Sequence, residues 1–362
     1  MHGVSLLQMA HRLSDERLYG LDVLRFSAAV SVFVYHQVIT SVRAAETIGF
    51  PQTNAFISEI GRYGNIGVHA FFILSGFVIF ATALKTDSAG FFVSRFVRIM
   101  PTFVLCALVS MLAAGPSLGR QEASFALYTT NVAFVPQAFG FEWIDTVFWT
   151  LRYEVHFYAF VFLLLITNQL RRMAWPLTWL WLTVAGLQVL GVLPNILRQV
   201  LAADFAPLFI IGIGLWWSLE KPTPARVLLV VVATFVAVVG ELPRIASNEA
   251  GIQLAINRWI MCGLIAVLPF VFLIALRLPL RRVGRLCYFA GGISYPLYLL
   301  HNNLSVALMP KLGVYLGVMI IVGGSSIVFL IDEMLRHRIR WRLTRLFRHD
   351  RTPSSVAVAV AS

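Results

Sequence analysis

Charged residues are scarce in this chain. They make up 13% of its 362 residues, whereas soluble domains contain about 25%, and 59% of its residues are hydrophobic. A soluble fold of this size cannot bury so much apolar surface, because a single core stops growing at about 250–300 residues. The composition excludes collagen, coiled coils, disordered chains and ordinary nucleic-acid-binding domains. It predicts a multi-pass protein that contacts membrane lipids.

Cysteine is also rare. Cys106, Cys262 and Cys287 lack the spacing of a metal or redox motif, and each falls in or beside an apolar run, which predicts small buried side chains. Two histidines and a carboxylate in the apolar runs, His36, Glu154 and His301, could bind a metal, but no two of them lie at close ligand spacing, so we predict no metal site. The first twenty residues contain no apolar stretch long enough for a cleavable signal peptide.

Long apolar runs supply the architecture. Ten stretches approach the roughly 20 apolar residues needed to cross a bilayer, so the sequence predicts an all-α membrane protein of about ten transmembrane helices. The predicted spans are Gly20–Ser41, Ile66–Leu84, Pro101–Gly115, Val147–Thr167, Met173–Val192, Phe205–Leu219, Val227–Gly240, Ile256–Leu276, Phe289–Met309 and Gly313–Ile331. The apolar segment Phe125–Pro136 is too brief to count and is predicted to be an interfacial helix or a re-entrant piece.

The positive charges orient these spans. Of 29 lysines and arginines, 20 fall in segments predicted to be cytoplasmic, seven in outer segments or at the outer edge of a span, and two deeper within spans. This bias predicts that both termini are cytoplasmic. We expect a cytoplasmic segment over residues 1–19, a membrane domain over 20–335 and a basic tail over 336–362 whose end is disordered, with no appended soluble domain. The tail suits the anionic inner leaflet better than nucleic acid.

Two ionisable residues lie in the first predicted span. Arg25 and His36 are eleven residues apart, which on a helix corresponds to 1,100°, about 20° from whole turns. Both side chains are therefore expected on one face, about 16–17 Å apart along the axis. Ionisable groups inside a membrane are costly and indicate function. The alternatives are that Arg25 extends to the lipid headgroups and that His36 merely forms a hydrogen bond between helices.

Two other predicted spans, and the segment just before a third, contain comparable residues. Glu154 and His301 are predicted at about the same outer-half depth as His36, which suggests a shared site. Arg95 and Arg98, in SRFVRIMP, are three residues apart and share a helical face at the predicted cytoplasmic boundary. Paired guanidinium groups suit a phosphate-bearing ligand, and the alternative is that they only anchor the helix topologically.

Five of these segments together resemble a known family. In chain order they are LDVLRFSAAVSVFVYH, GVHAFFILSGF, SRFVRIMP, FWTLRYEVHFY and ISYPLYLLH, and they resemble acyltransferase family 3 of integral membrane acyltransferases from about Gly20 to about Ile331. The arginine and histidine of the first segment match the family hallmark at Arg25 and His36. His69 departs from the family pattern, in which acidic residues are frequent at that position.

The resemblance implies an activity. Family members move an acyl group, often acetyl, from cytoplasmic acyl-CoA to a hydroxyl of a surface polysaccharide or lipid-linked sugar. It implies that His36 carries the chemistry and that Arg25, Arg95 and Arg98 face the donor, here acetyl-CoA as a substrate rather than a resident cofactor. Glu154 or His301 is expected to orient His36. The segments look like the branch that acylates exopolysaccharide in the bacterial cytoplasmic (inner) membrane.

Other functions are compatible with buried ionisable residues. A multi-pass transporter or flippase with a His/Glu relay would explain His36 and Glu154 equally well, but it explains the paired arginines less well. A scaffold without activity would leave these costly groups without a purpose. If the protein is an acyltransferase, His36 acts either as a general base or as a transient carrier of the acyl group.

Overall fold

The computed structural model describes residues 18–114, 124–252 and 256–349, and every regular element in them is helical. The helices are α1 (Tyr19–Ile48), α2 (Ala55–Gly61), α3 (Ile66–Ala83), α4 (Ser88–Ala114), α5 (Phe125–Val132), α6 (Trp149–Ile166), α7 (Leu170–Val189), α8 (Asn195–Val200), α9 (Ala206–Glu220), α10 (Pro224–Ile252), α11 (Arg258–Arg277), α12 (Gly284–Leu312) and α13 (Val314–His349). The predicted disorder after Asp350 and most of the predicted N-terminal segment lie outside these residues.

The helical prediction is confirmed, and within the described residues each of the ten predicted spans overlaps a helix. Seven helical segments among the described residues are long and apolar enough to cross a membrane. The other three predicted spans correspond to α9, which is shorter, and to α7 and α12, which are long but less apolar. The chain is thus a helical protein with several segments that are long and apolar enough to span a membrane, while the count of ten and the side of the termini stay predictions.

The beginning of α4 corrects one predicted boundary. The hydropathy pattern places the start of this span at Pro101, but the helix begins at Ser88, where the Asp87 side chain accepts a hydrogen bond from the Gly90 amide at 2.9 Å. The two arginines of SRFVRIMP lower the hydropathy of the first turns without interrupting the helix. Arg95 and Arg98 therefore lie inside α4, where neighbouring helices surround them.

Close helix contacts bring the functional segments together. Helix α1 packs against α3 and α12, α4 packs against α12 and α13, and α6 packs against α3. Two glycines allow such close packing: a Cβ at Gly67 would lie 2.3 Å from the Ala28 carbonyl oxygen, and one at Gly76 would lie 2.1 Å from that of Phe209. The helix surfaces can approach this closely only without side chains at these positions.

The segment Phe125–Pro136 contains the eight-residue helix α5, which is too short to cross a bilayer. The Asn131 side chain fixes the loop that follows it: its amide donates to the Glu142 carbonyl at 3.2 Å, and its oxygen accepts from the Ile144 amide at 3.0 Å. The loop then leads through a short 3-10 helix, Thr146–Phe148, into α6. This arrangement holds the loop against the middle of α12.

Candidate functional site

Two histidines from distant parts of the sequence meet inside the helix bundle. His36 of α1 and His301 of α12 lie with their ring centroids 4.9 Å apart, and His36 Nδ1 is 3.1 Å from His301 Nε2. His301 is fully buried, whereas His36 is half-buried. We call these residues the histidine pair. The sequence suggests that either Glu154 or His301 orients His36, and in the structure it is His301 that contacts His36.

The surroundings of the histidine pair determine where the ring protons lie. His301 Nδ1 faces the Tyr298 and Leu297 carbonyl oxygens at 2.8 and 3.2 Å, so in the neutral ring it carries the hydrogen and donates. His301 Nε2 is then an acceptor. His36 Nδ1 faces this nitrogen and the Val32 carbonyl oxygen at 3.0 Å, both acceptors, so it also carries its hydrogen. The lone pair of His36 is left on Nε2, which makes no hydrogen bond among the described residues.

A chain of hydrogen bonds fixes the position of the histidine pair from the α1 side. The Gln37 side chain donates to the Ser305 hydroxyl at 2.8 Å, and this hydroxyl donates to the His301 carbonyl oxygen. Gln37 adjoins His36 in α1, and Ser305 lies one turn after His301 in α12. The two helices are therefore linked both by the imidazole contact and by these side chains, which limits rotation of either helix.

A buried carboxylate holds the opposite side of the same turn of α12. Asp145 accepts hydrogen bonds from the Asn302 side-chain amide at 2.8 Å, the Asn303 backbone amide at 3.0 Å and the Val147 amide at 3.2 Å. The Asn303 side chain continues to the Ile144 carbonyl at 2.8 Å. Asp145 is fully buried, so removing it would leave these donors without acceptors in a low-dielectric interior.

Paired guanidinium groups line a cavity nearer the predicted cytoplasmic end. Arg95 and Arg98 both face it, together with Arg25 of α1, and we call it the arginine cavity. Arg95 donates to the Ser94 hydroxyl at 3.1 Å and lies 5.9 Å from the ring centroids of Phe91 and Tyr158. Among the described residues, neither Arg95 nor Arg98 forms an ion pair with a carboxylate. Two guanidinium groups that form no such ion pair, in a lining with three arginines and one carboxylate in all, leave the cavity with excess positive charge, which favours an anionic ligand.

Arg25 differs from the other two arginines because it has a carboxylate partner. Its guanidinium lies 3.3 Å from the Asp22 carboxylate, one turn earlier in α1. Both the arginine cavity and His301 border α12, so Arg25 and His36 lie on the same side of α1, as the eleven-residue spacing predicts. The arginines and the histidine pair thus occupy the two ends of one helix surface.

Glu154 belongs to the arginine cavity rather than to the histidine pair. Its carboxylate accepts hydrogen bonds from the Tyr158 hydroxyl at 2.6 Å and the Ser75 hydroxyl at 3.1 Å. None of its hydrogen bonds within the described residues reaches His36. Of the two alternatives for orienting His36, the contact is made by His301, whereas α6 directs the Glu154 side chain toward the middle of α3. Its negative charge is instead close to the paired arginines.

The arginine cavity extends toward the histidine pair. Its lining follows α3 from Ile79 to Val68, eleven residues or about 16–17 Å of helix, and at the far end it includes Tyr298. The Tyr298 hydroxyl shares a 2.8 Å hydrogen bond with the Thr150 hydroxyl, and its ring centroid is 5.8 Å from that of His301. One aromatic layer therefore separates the end of the cavity from the histidines.

Sequence reasoning missed the residues that position the histidine pair. Asn302 and Asn303 directly follow His301 in the segment LHNNLS, and this polar interruption of an apolar span is a signal that can be read. Asp145 lies in a loop between spans, where a carboxylate is ordinary and gives no such signal. Among the described residues, no group of three or more histidine, cysteine or acidic side chains has the geometry of a metal site.

His69 has a partner elsewhere in the bundle. Its Nε2 lies 3.1 Å from the Glu241 carboxylate, which also binds Arg244 at 2.7 Å, and both His69 and Glu241 are buried. In the family that the sequence resembles, an acidic residue is frequent at this position. In this chain the position is a histidine, and the carboxylate is supplied by Glu241 of α10. This cluster is separate from the arginine cavity and the histidine pair.

Comparisons with known proteins identify the family of this chain. A family model described as an acyltransferase domain matches residues 18–346. The chain is 28% identical over 234 residues to a protein of Streptomyces mycarofaciens named Acyltransferase MdmB, an alignment that covers 62% of this chain and 57% of that protein. The chain thus spans little more than half the length of this curated relative. No solved structure matches significantly. Since the family model covers almost the entire membrane region, the chain belongs to acyltransferase family 3.

Proposed function

We propose that this membrane acyltransferase transfers an acyl group, normally acetyl, from cytoplasmic acyl-CoA to a hydroxyl of a surface polysaccharide or lipid-linked sugar in the bacterial inner membrane. The observation that supports it best is the arginine cavity. Two guanidinium groups without carboxylate partners lie at one end, and the far end lies one aromatic ring from the histidine pair. Such a cavity suits a long ligand with phosphates at one end and a reactive thioester at the other.

The dimensions of the cavity fit this donor. Arg25 and His36 are separated by about 16–17 Å along α1, and the lining of the cavity follows α3 over a similar length. In the proposed complex, Arg95 and Arg98 hold phosphate oxygens, and the extended pantetheine arm runs along the apolar surface of α3. Tyr298 and Thr150 then lie beside the thioester, close to the histidines.

The hydrogen-bond pattern of the histidine pair supports His36 as the general base. Its Nε2 carries the lone pair, while Nδ1–H donates to His301 Nε2 and the Val32 carbonyl. His36 Nε2 removes the proton of the acceptor hydroxyl as the oxygen attacks the thioester carbonyl. The tetrahedral intermediate then expels the CoA sulfur, which receives that proton, so the ester and free CoA are formed. His301 orients His36 and stabilises the positive ring, as the third member of a catalytic triad does.

The direct test is acyl transfer by the purified full-length protein in liposomes. We expect free CoA thiol to appear with acetyl-CoA only when a hydroxyl-bearing glycan acceptor is present. Acyl-group analysis of surface glycans and lipids from cells with and without the protein identifies that acceptor. If the protein releases no thiol with any glycan fraction, or if the acyl group stays on CoA, the proposed reaction is contradicted.

A further inference from the structure

A second cavity opens beside the arginine cavity, on the side of α13. The two share Arg25, Arg98 and Tyr295, so they are neighbouring compartments of one space. We call the second compartment the side chamber. Two charged residues of α13, Asp332 and Arg336, line it but do not face the arginine cavity. The side chamber is thus charged, whereas the length of the arginine cavity along α3 is mainly apolar.

Asp332, which lines the side chamber, has one unsatisfied carboxylate oxygen. Its side chain is 4% exposed, and Oδ2 binds the Arg336 guanidinium, but Oδ1 is buried without a hydrogen-bond partner. Arg336 Nε is also buried without a partner. A buried carboxylate oxygen that lacks a donor is costly, so such atoms are usually explained by function or by a bound group. The unpaired oxygen indicates that a ligand with an N–H or O–H group belongs here.

The charges of the chamber indicate what else that ligand carries. Asp22 is paired with Arg25 and Asp332 with Arg336, while Arg98 has no carboxylate partner in the described part of the chain. The chamber therefore has one positive charge in excess and binds anions. A nucleotide meets both requirements, because it carries phosphates together with ribose hydroxyl and base amino donors.

We propose that the side chamber binds the nucleotide part of the donor, with Arg336 joining Arg98 on its phosphates and Asp332 Oδ1 accepting from a ribose hydroxyl or base amino group. This inference rests on the proposed function. It divides the donor between two compartments: the nucleotide in the side chamber and the pantetheine arm in the arginine cavity. It also moves Arg336 from the predicted lipid-binding tail, 336–362, into the donor site.

Donors with and without a nucleotide test this division. We expect Arg336→Gln to raise the KM for acetyl-CoA at least about tenfold, because a charge-assisted contact is lost, and to leave the KM for S-acetylpantetheine within about twofold of wild type. Arg338→Gln, which removes an exposed charge from the same helix, is the matched control and should change neither of these two KM values. An unchanged KM for acetyl-CoA, or equal increases with both donors, would overturn the proposal.

A second variant covers the possibility that Arg336→Gln destabilises the protein by leaving Asp332 unpaired. The double change Asp332→Asn/Arg336→Gln removes both charges, and we expect the same selective increase for acetyl-CoA. Adenosine 3′,5′-bisphosphate should compete with acetyl-CoA in wild type and about tenfold less well in the double variant.

If the KM for acetyl-CoA changes with the anionic lipid content of the liposomes instead, the chamber binds lipid phosphate, and the proposal is overturned. A wild-type protein that transfers from neither donor refutes the proposed function rather than this inference.

Discussion

The histidine pair and the arginine cavity differ in how completely their polar groups are satisfied. Around the histidines, carbonyl oxygens, hydroxyls, amides and the buried Asp145 form a connected network that fixes each ring. In the arginine cavity, Arg95 and Arg98 have no carboxylate partner in the described structure. A satisfied network holds groups in a precise geometry for chemistry, whereas unpaired charges bind a ligand that supplies the missing counter-charge. Variants of the first region should therefore alter kcat, and variants of the second should alter KM.

The largest effect is expected from His36→Ala. Without Nε2 no group takes the proton of the acceptor hydroxyl, so kcat should fall about 10²–10⁴-fold, while the Kd for CoA, measured by titration, stays within about twofold. His156→Ala, a histidine in α6 outside the site, is the control and should retain full activity. A variant that keeps more than about a tenth of wild-type turnover would show that His36 is not the base.

The second largest effect is expected in the arginine cavity, where variants should weaken donor binding. Replacing both Arg95 and Arg98 by lysine keeps the charge but removes the bidentate geometry, so the Kd for CoA should rise at least about tenfold, which corresponds to about 1.4 kcal/mol or more. Isothermal titration measures it, with Arg172→Lys as the control. An unchanged affinity would mean that the two arginines serve only to anchor the helix, as the positive-inside rule alone would require.

How far the sequence predicts this molecule depends on the range of each interaction. An apolar run can be recognised from neighbouring residues alone, and each of the ten predicted spans overlaps a helix. The eleven-residue spacing within one helix likewise places Arg25 and His36 on one side of α1. Contacts between helices are not encoded locally. The pairing of His36 with His301 and the position of Glu154 depend on how α1, α6 and α12 rotate against one another, which the spacing of residues within one segment does not determine.

A third variant tests whether the satisfied network has a catalytic consequence. Asp145→Asn places an amide where Asn302 and Asn303 both donate, so at least one buried donor loses its acceptor, at a cost of about 1–3 kcal/mol in the free energy of unfolding. We expect a lower thermal unfolding midpoint and a reduced kcat with unchanged KM for acetyl-CoA. If KM rises and kcat does not fall, the network serves the donor site rather than the histidine pair.

The smallest effect is expected where the two regions meet. Tyr298→Phe keeps the ring between the cavity and His301 but removes the hydroxyl that bonds to Thr150, a contact worth about 1 kcal/mol. We expect activity to fall no more than about fivefold. Tyr298→Ala, which removes the ring, should have a much larger effect. Equal rates for the two variants would show that the aromatic layer does not organise the end of the donor cavity.

The central claim is that the acyl group reaches an outer hydroxyl while CoA stays at the face from which it entered. Inside-out vesicles supplied with acetyl-CoA labelled separately in the acetyl and adenine groups test it most directly. We expect acetyl label covalently bound to a glycan or lipid on the lumenal side and all adenine label outside. With His36→Ala the adenine label should also stay outside, but at least about a hundredfold less acetyl label should reach the lumenal acceptor. Intact acetyl-CoA or acceptor crossing the membrane without a new ester would contradict the account and indicate a transporter.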